Sequence, residues 1–456
     1  MKKSLLWLMV VVLAISLTAV FSLSGCKPAA EEEVAEEVEE EVAEEVEEEV
    51  AEEVEEKIVL KHWFTWGSMG IEEQKAYEKI IDGFESENPN VEITREVYNM
   101  HDMKTVLPIH ILGGTGPDIM YYASGPGFGG ALAESGLLLD LAEAWETKGW
   151  NDRIFGWTKE QTTSSSGIVY GIGNEVESIG YFYNKDIFNE LGVDVPQTYA
   201  EFLQICDKAK AAGYIPVAFG DQEKWPAYHQ FSMTANNLAG IDKMNSVLFG
   251  DGSWDDPVFA KAIKLFFVDM NEAGYFPPDA AGIVYADANS LYYQKKAAMI
   301  PTGMWLINDI TTNTDFETGM FYFPSIEGSD VLPPAGLGGA FMVSKNCEYP
   351  EIAIDFLDYV YKQENAKIFI EELNFFPPYD IDIEDYDISD LLKVAVSLQE
   401  SQPQMGYNID VLTGAKFNDV QGTGFQQILL GQNTPEKLVK ELQEAKLMDL
   451  EGAESE

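Results

Sequence analysis

From Lys57 onward the chain switches repeatedly between two periods of hydrophobicity. "KIVLKHWFTW", which begins there, alternates apolar and polar positions as a strand does. "IEEQKAYEKIIDGFESENP" follows, with Ile71, Tyr77, Ile80, Ile81 and Phe84 near helical spacing and a stop at Pro89. "VEITREVY" and "PDIMYYA" return to the strand period. In "PQTYAEFLQICDKAKAAG", Thr198 stands three residues before Glu201, the spacing of a capping box, and Gly213 closes the run. "IPVAFG" predicts another strand, and "TPEKLVKELQEA" predicts a late helix capped by Thr434, with Pro435 at its first position. This alternation predicts an α/β architecture on mainly parallel sheets. Residues 57–456 exceed what one core usually serves, so two lobes are expected.

The front of the chain obeys neither period. Lys2 and Lys3 precede a charge-free apolar stretch from Leu5 to Leu23, the pattern of a secretion signal. About 20 apolar residues could also span a bilayer. However, "LSGC" at Leu23–Cys26 resembles the lipobox of bacterial lipoproteins, in which small residues admit the peptidase and the thiol accepts the lipid. Residues 1–26 are therefore expected to be a lipoprotein signal peptide. Cys26 would be the lipidated residue, holding the mature chain at a membrane outside the cytoplasm by acyl chains. Beyond it, "EEEVAEEV" recurs through residues 31–54. A valine every four residues drifts ~40° per step around a helix and forms no stripe. Glutamates three and four apart would repel one another. Residues 27–56 thus read as an acidic disordered tether, of which residues 31–56 could reach about 85–95 Å.

Charge narrows the partners. The formal net charge is −49, and the first 56 residues supply 17 Glu against three Lys. Residues 57–456 keep 61 acidic and 26 basic side chains, a net of −35. Such a field repels nucleic acid, so no nucleic-acid partner is expected. Cys206 and Cys347 are the remaining cysteines, and their compartment would permit a disulfide. Cys206 falls in a helix-like run, and two unpaired buried thiols are expected. No Cys or His spacing suggests a metal site, and no cofactor is expected.

Six stretches then occur in a telling order: "GTGPDIMYY", "ESGLLLDL", "GIVYGIG", "YFYNKDIFNELGVDVPQTYAEF", "KKAAMIPTGMW" and "GLGGAFMVSKNCEYPEIAIDFLDYV". Together they resemble the extracellular solute-binding proteins of sugar ABC transporters, the family that includes the maltose-binding protein. The resemblance runs from about residue 57 to 445 and is most specific from Tyr183 to Phe202. It implies a two-lobed periplasmic-binding-protein-like fold with hinge crossings, which closes over a mono- or oligosaccharide and delivers it to ABC transporter permease subunits. It also implies a binder rather than an enzyme, and a monomer. Transferred to this chain, lobe one is 57–174 plus 336–374 and lobe two is 178–332 plus 378–450. Crossings would lie near Asn174–Glu177, Pro333–Gly336 and Asn374–Pro378. "PPAGLGG" and "FFPP" are Pro/Gly-marked breaks compatible with hinges.

A sugar offers C–H faces to aromatic rings and a hydroxyl rim to carboxylates and amides. Candidates are accordingly aromatic and acidic residues near strand ends and crossings. Trp305 sits in a segment resembling the family's "AAM…G-x-W", where the Trp commonly stacks on sugar. Glu177, at the first crossing, matches a family carboxylate that accepts sugar hydroxyls, and Glu175 shares its side of a strand. Trp63 and Trp66 end the first strand, where the family places a ligand loop. Alternation sends Trp63 and Phe64 to opposite faces, so one of them is expected in the core. Tyr122 matches an aromatic of the maltose-binding protein. Asp118 either touches ligand or braces its loop. Trp225 lies in a polar stretch expected to be a loop. Asn418 and Asp419 match family contact positions weakly, and "QGTG" stands where the maltose-binding protein carries an arginine.

Two other readings compete. "GPGFGG" at Gly125–Gly130 fits the dinucleotide pattern G-x-G-x-x-G, but no initial βαβ unit precedes it, and a loop turning into a helix suffices. Glu175 and Glu177 could be the paired acids of a secreted glycoside hydrolase, which stand ~5–10 Å apart across the sugar. Side chains parallel on one strand do not easily flank a bond. A surface sugar sensor or adhesin is the third class.

Overall fold

The computed structural model describes residues 57–64, 71–98 and 100–455. The signal segment, Cys26, the glutamate-rich repeat and Trp66 fall outside them. Eleven strands are found among these residues: β1 Ile58–Phe64, β2 Val91–Val97, β3 Ile119–Ala123, β4 Ile172–Gly173, β5 Glu177–Asn184, β6 Ile215–Val217, β7 Ala297–Gly303, β8 Thr318–Phe321, β9 Pro334–Gly336, β10 Gly339–Val343 and β11 Gly406–Tyr407. They form two sheets, the centres of two α/β lobes.

The first sheet has the order β2-β1-β3-β10-β4. β1 runs parallel to β2 and β3, while β10 runs antiparallel to β3 and β4. Helices cover both faces, and the period of two sorts the side chains between them. Leu60, Phe64, Ile119, Tyr121, Phe341 and Val343 meet the helices Ile71–Glu87 and Pro350–Val360. Trp63, Met120, Tyr122, Ala340 and Met342 meet the helix Met100–Leu112. His62 belongs to the first set. It is fully buried between Tyr77 Oη (2.9 Å) and the Ile119 carbonyl (3.2 Å), and burial lowers its pKa to about 4.

The second sheet is centred on β5, which pairs antiparallel with β7, β8 and β9. β6 and β11 add parallel partners at the edges. The expectation of mainly parallel sheets therefore fails here. The strands that enter each lobe from a crossing, β5 and β10, run against their neighbours. The capping box is present in both halves: Glu201 N donates to Thr198 Oγ1 (3.3 Å) and Thr198 N donates to Glu201 Oε2 (3.1 Å). The helix it starts, Tyr199–Ala211, buries Phe202, Ile205, Cys206 and Ala209. Cys206 and Cys347 are both free thiols; Cys347 is only half-buried, because it follows the exit of β10 rather than lying in a core.

Three passages link the lobes side by side. The chain leaves β4 through Asn174–Val176 into β5, and leaves β9 through Leu337 and Gly338 into β10. A third passage follows Leu373, after which the helix Asp390–Glu400 packs on β8. Backbone hydrogen bonds tie them: Asn174 N to Gly339 O (3.4 Å) and Val176 N to Phe376 O (2.9 Å). Glu177 lies opposite Gly336 in the β5–β9 ladder.

Candidate ligand-binding cleft

The passages form a floor between the lobes, and two carboxylic acids stand on it. Glu175 and Glu177 are 4% and 8% exposed and lie close enough to shift each other's ionisation. Burial pushes both carboxyls up, and the neighbouring charge of Glu175 pushes Glu177 further. The Tyr121 phenol lies close to both and is raised by burial and by their charge.

The second lobe supplies an aromatic wall. Asp221 Oδ1 accepts from Ala227 N (2.9 Å) at the start of the helix Trp225–Phe249, whose second residue is Pro226. Trp225 therefore opens a helix rather than lying in the expected loop, because this acid and the proline start the helix earlier than the polar sequence suggested. His229, one turn on, shares its face. Trp225 packs 4.4 Å from Tyr285, and His229 packs 5.1 Å from Trp305. Trp305 Nε1 donates to Tyr285 Oη at 3.2 Å. The Trp305 ring folds back over Gly303, where a Cβ would lie 1.7 Å from it, so the glycine of "TGMW" makes the ring's position possible. Trp225 and Trp305 stay half-buried.

The first lobe contributes a different wall. Lys104, on the helix Met100–Leu112, holds its ammonium 3.9 Å over the ring of Phe128. Burial lowers its pKa to about 8, and Asp410 of the second lobe pulls it the other way. Asp410 is 5% exposed and pushed up to about 6 by burial. His229 is lowered to about 3, chiefly by burial and then by Lys104. Beside them the lobes touch. Gly125 has φ +93°, and a Cβ there would lie 2.1 Å from the Val411 carbonyl oxygen. One at Gly127 would lie 2.7 Å from Asn418 Nδ2. The "GPGFGG" loop thus needs glycine for backbone approach to the other lobe.

The other predicted residues distribute unevenly. Asn418 braces the second lobe: its Nδ2 donates to Asp410 O (2.8 Å), and its Oδ1 accepts from Thr413 and Gln421. Asp419 faces outward, near Lys224 (3.8 Å) and Lys416 (3.7 Å). Asp118 accepts from Lys61 N (2.8 Å) at the start of β3, holding β1 to β3. Tyr122 is 3% exposed beside Phe128. Trp63 and Phe64 are both core, on opposite faces of β1; the Trp63 ring packs on Tyr98 (4.7 Å) and His110 (5.2 Å). Sequence reasoning missed Lys104, Asp410, His229 and Tyr285. His229 was reachable through its spacing from Trp225, whereas Lys104 and Asp410 carry no local signal. Among the described residues, no group of three or more His, Cys, Asp or Glu side chains is placed to hold a metal ion.

Known proteins share this arrangement. The multiple sugar-binding protein of Streptococcus mutans is 26% identical over 314 residues, covering 63% of this chain and 68% of its own. The maltodextrin-binding protein MdxE of Bacillus subtilis is 26% identical over 322 residues, covering 67% of this chain and 71% of its own. A solved chitin oligosaccharide binding protein superposes with a TM-score of 0.78 at 22% identity, over 86% of this chain and 99% of its own. Residues 70–367 match the family model described as bacterial extracellular solute-binding protein. With that match spanning more than half its length, on a two-lobed frame with a polar-floored and aromatic-walled cleft, the chain belongs to the bacterial extracellular solute-binding proteins.

Proposed function

We propose that this protein captures a carbohydrate between its lobes and delivers it to the permease of an ABC transporter, as an extracytoplasmic lipoprotein anchored through Cys26. The carrying observation is the set of side chains at the second lobe's edge: half-buried Trp225 and Trp305 rings, and the buried Glu175 and Glu177 where the chain enters β5, the neighbour of the strand that leads to Trp305. Rings cover sugar C–H faces while the acids accept hydroxyls. Relatives named for multiple sugars, maltodextrin and chitin oligosaccharide support the reading. The proposed boundaries are 57–174 plus 336–374 for lobe one and 178–332 plus 378–450 for lobe two; sheet membership supports them except at Gly336, whose strand β9 lies in the second sheet. Ligand favours the closed form because only there do both lobes touch it.

The acids bind rather than catalyse in this proposal. They stand two residues apart on one passage into β5, whereas glycoside hydrolysis sets its two acids ~5–10 Å apart on either side of the scissile bond. Among the described residues no helix is long and apolar enough to cross a membrane. The test is a thermal-shift screen against a sugar library, followed by scattering with each hit. Compaction with a saccharide and no reducing-end release is expected. Compaction only with another class of molecule would overturn the carbohydrate reading.

A further inference from the structure

Asn374 belongs to one lobe by its backbone and to the other by its side chain. It follows the helix Gln363–Lys367, which continues as a π-helical turn, Ile368–Glu372. Glu372 Oε2 accepts from Lys79 Nζ (2.5 Å) on the helix Ile71–Glu87, so this run is fixed to the first lobe. Asn374 then enters the left-handed region, with φ +52°, which asparagine tolerates better than most residues with a side chain. The residues around it close the helix end: Leu373 N donates to Ile368 O (3.0 Å) and Phe375 N to Phe369 O (2.8 Å). The buried side chain reaches into the second lobe. Asn374 Nδ2 donates to Asn308 Oδ1 (2.6 Å), and Ser389 Oγ donates to Asn374 Oδ1 (2.8 Å). Ser389 also caps the helix Asp390–Glu400, accepting from Leu392 N (3.2 Å). Asn308 stands three residues after Trp305, where the turn Met304–Leu306 runs into the helix Ile307–Asn313. About one helical turn therefore separates the candidate sugar platform from the third passage.

We propose that Asn374 and Asn308 are positioning residues: their hydrogen bond ties the Trp305 turn to the third passage and holds the second lobe at the angle at which the lobes touch. The role needs no contact with ligand, and it rests on the carbohydrate reading only for what Trp305 meets. Rotating the second lobe away would move Asn308 and Ser389 against a backbone that the helix end and Lys79 hold in place. The Asn374 amide would then lose partners where little water can replace them, which costs more than breaking an exposed bond. The relay thus favours the arrangement in which Gly125 meets Val411. A ligand that needs both lobes then has less of the closing equilibrium to shift.

The test is X-ray scattering and titration calorimetry of the full-length protein, with maltotriose, xylobiose and diacetylchitobiose as probes. Asn374→Gly keeps the left-handed turn and removes the side chain, so the fold should survive. Without sugar this variant should be more expanded than wild type. Its affinity for a saccharide that wild type binds should fall roughly five- to tenfold, the scale of one or two neutral hydrogen bonds. Asn308→Ala should act in the same direction, and the double variant should lose no more than Asn374→Gly alone, because the two changes delete one contact. Asn308→Asp keeps an acceptor for Asn374 Nδ2 and should restore the sugar-free shape that Asn308→Ala loses. A merely structural role would lower the melting temperature of every variant and leave shape and rescue unchanged. If Asn374→Gly does not fold, Asn308→Ala and Asn308→Asp carry the same comparison. A wild-type shape without sugar in Asn374→Gly and Asn308→Ala overturns the relay whatever the sugars do, and so do additive losses in the double variant. Compaction of wild type by none of the three sugars counts against the carbohydrate reading alone, since the sugar-free comparison needs no ligand.

Discussion

The two walls of the cleft are built on opposite principles. The second lobe presents rings that support one another before any ligand arrives: Trp305 donates to Tyr285, Tyr285 packs on Trp225, and Trp305 packs on His229. Among the described residues, the first lobe brings there one lysine over one ring and a glycine loop whose bare backbone meets Val411. One wall is preformed and the other acquires meaning only on closure. Binding energy is therefore expected to concentrate on the second lobe, with the first lobe setting how far the lobes close.

Replacing rings should break this contrast most severely. Trp305→Ala removes the platform and the hydrogen bond to Tyr285. A loss of about 2–4 kcal/mol in sugar affinity is expected, the range of a central aromatic contact, with the fold retained. Calorimetry beside a thermal melt checks this; unchanged affinity removes Trp305 from the site. Gly125→Ala attacks the other wall. It adds a methyl where the φ is +93° and the closed lobe leaves 2.1 Å, so closure should be penalised and apparent affinity should fall roughly tenfold. Scattering should then show no compaction at sugar concentrations that compact the wild type.

The smallest effect concerns the floor. Glu175 has a folded-state pKa above its unfolded value, so the native state holds more protons than the unfolded chain across the interval between them. Its contribution to stability is full below the ordinary carboxylate range of about 4.3 and is lost as the pH rises toward neutrality. His229, lowered to about 3, acts in the opposite sense and loses its contribution as the pH falls below about 6.5. The difference in melting temperature between wild type and Glu175→Gln isolates the acid. The gap should shift in favour of the variant as the pH goes from 4.5 to 7. A constant gap would show that the pair holds no raised carboxyl.

Much of the fold is legible along the chain because its causes are local. The capping box at Thr198 and Glu201, the two faces of β1 and the helix begun at Pro435 each depend on residues a few positions apart. Trp305 and Glu177 stood out as candidates because each lies near a short family motif, and Glu175 because it stands two residues from Glu177. Strand direction was not, since a buried strand such as β5 would show the same apolar run with parallel partners as with its antiparallel ones. Lys104 and Asp410 lie on elements that look ordinary in isolation, and only the folded chain brings each within range of the other's charge. The glycines of "GPGFGG" read as a flexible turn until Val411 is placed against them. Sequence alone determined periodicity, caps and family motifs, which arise from neighbouring residues. The tertiary structure decided which charges share the cleft, because burial and approach across lobes depend on segments that meet only in the folded chain.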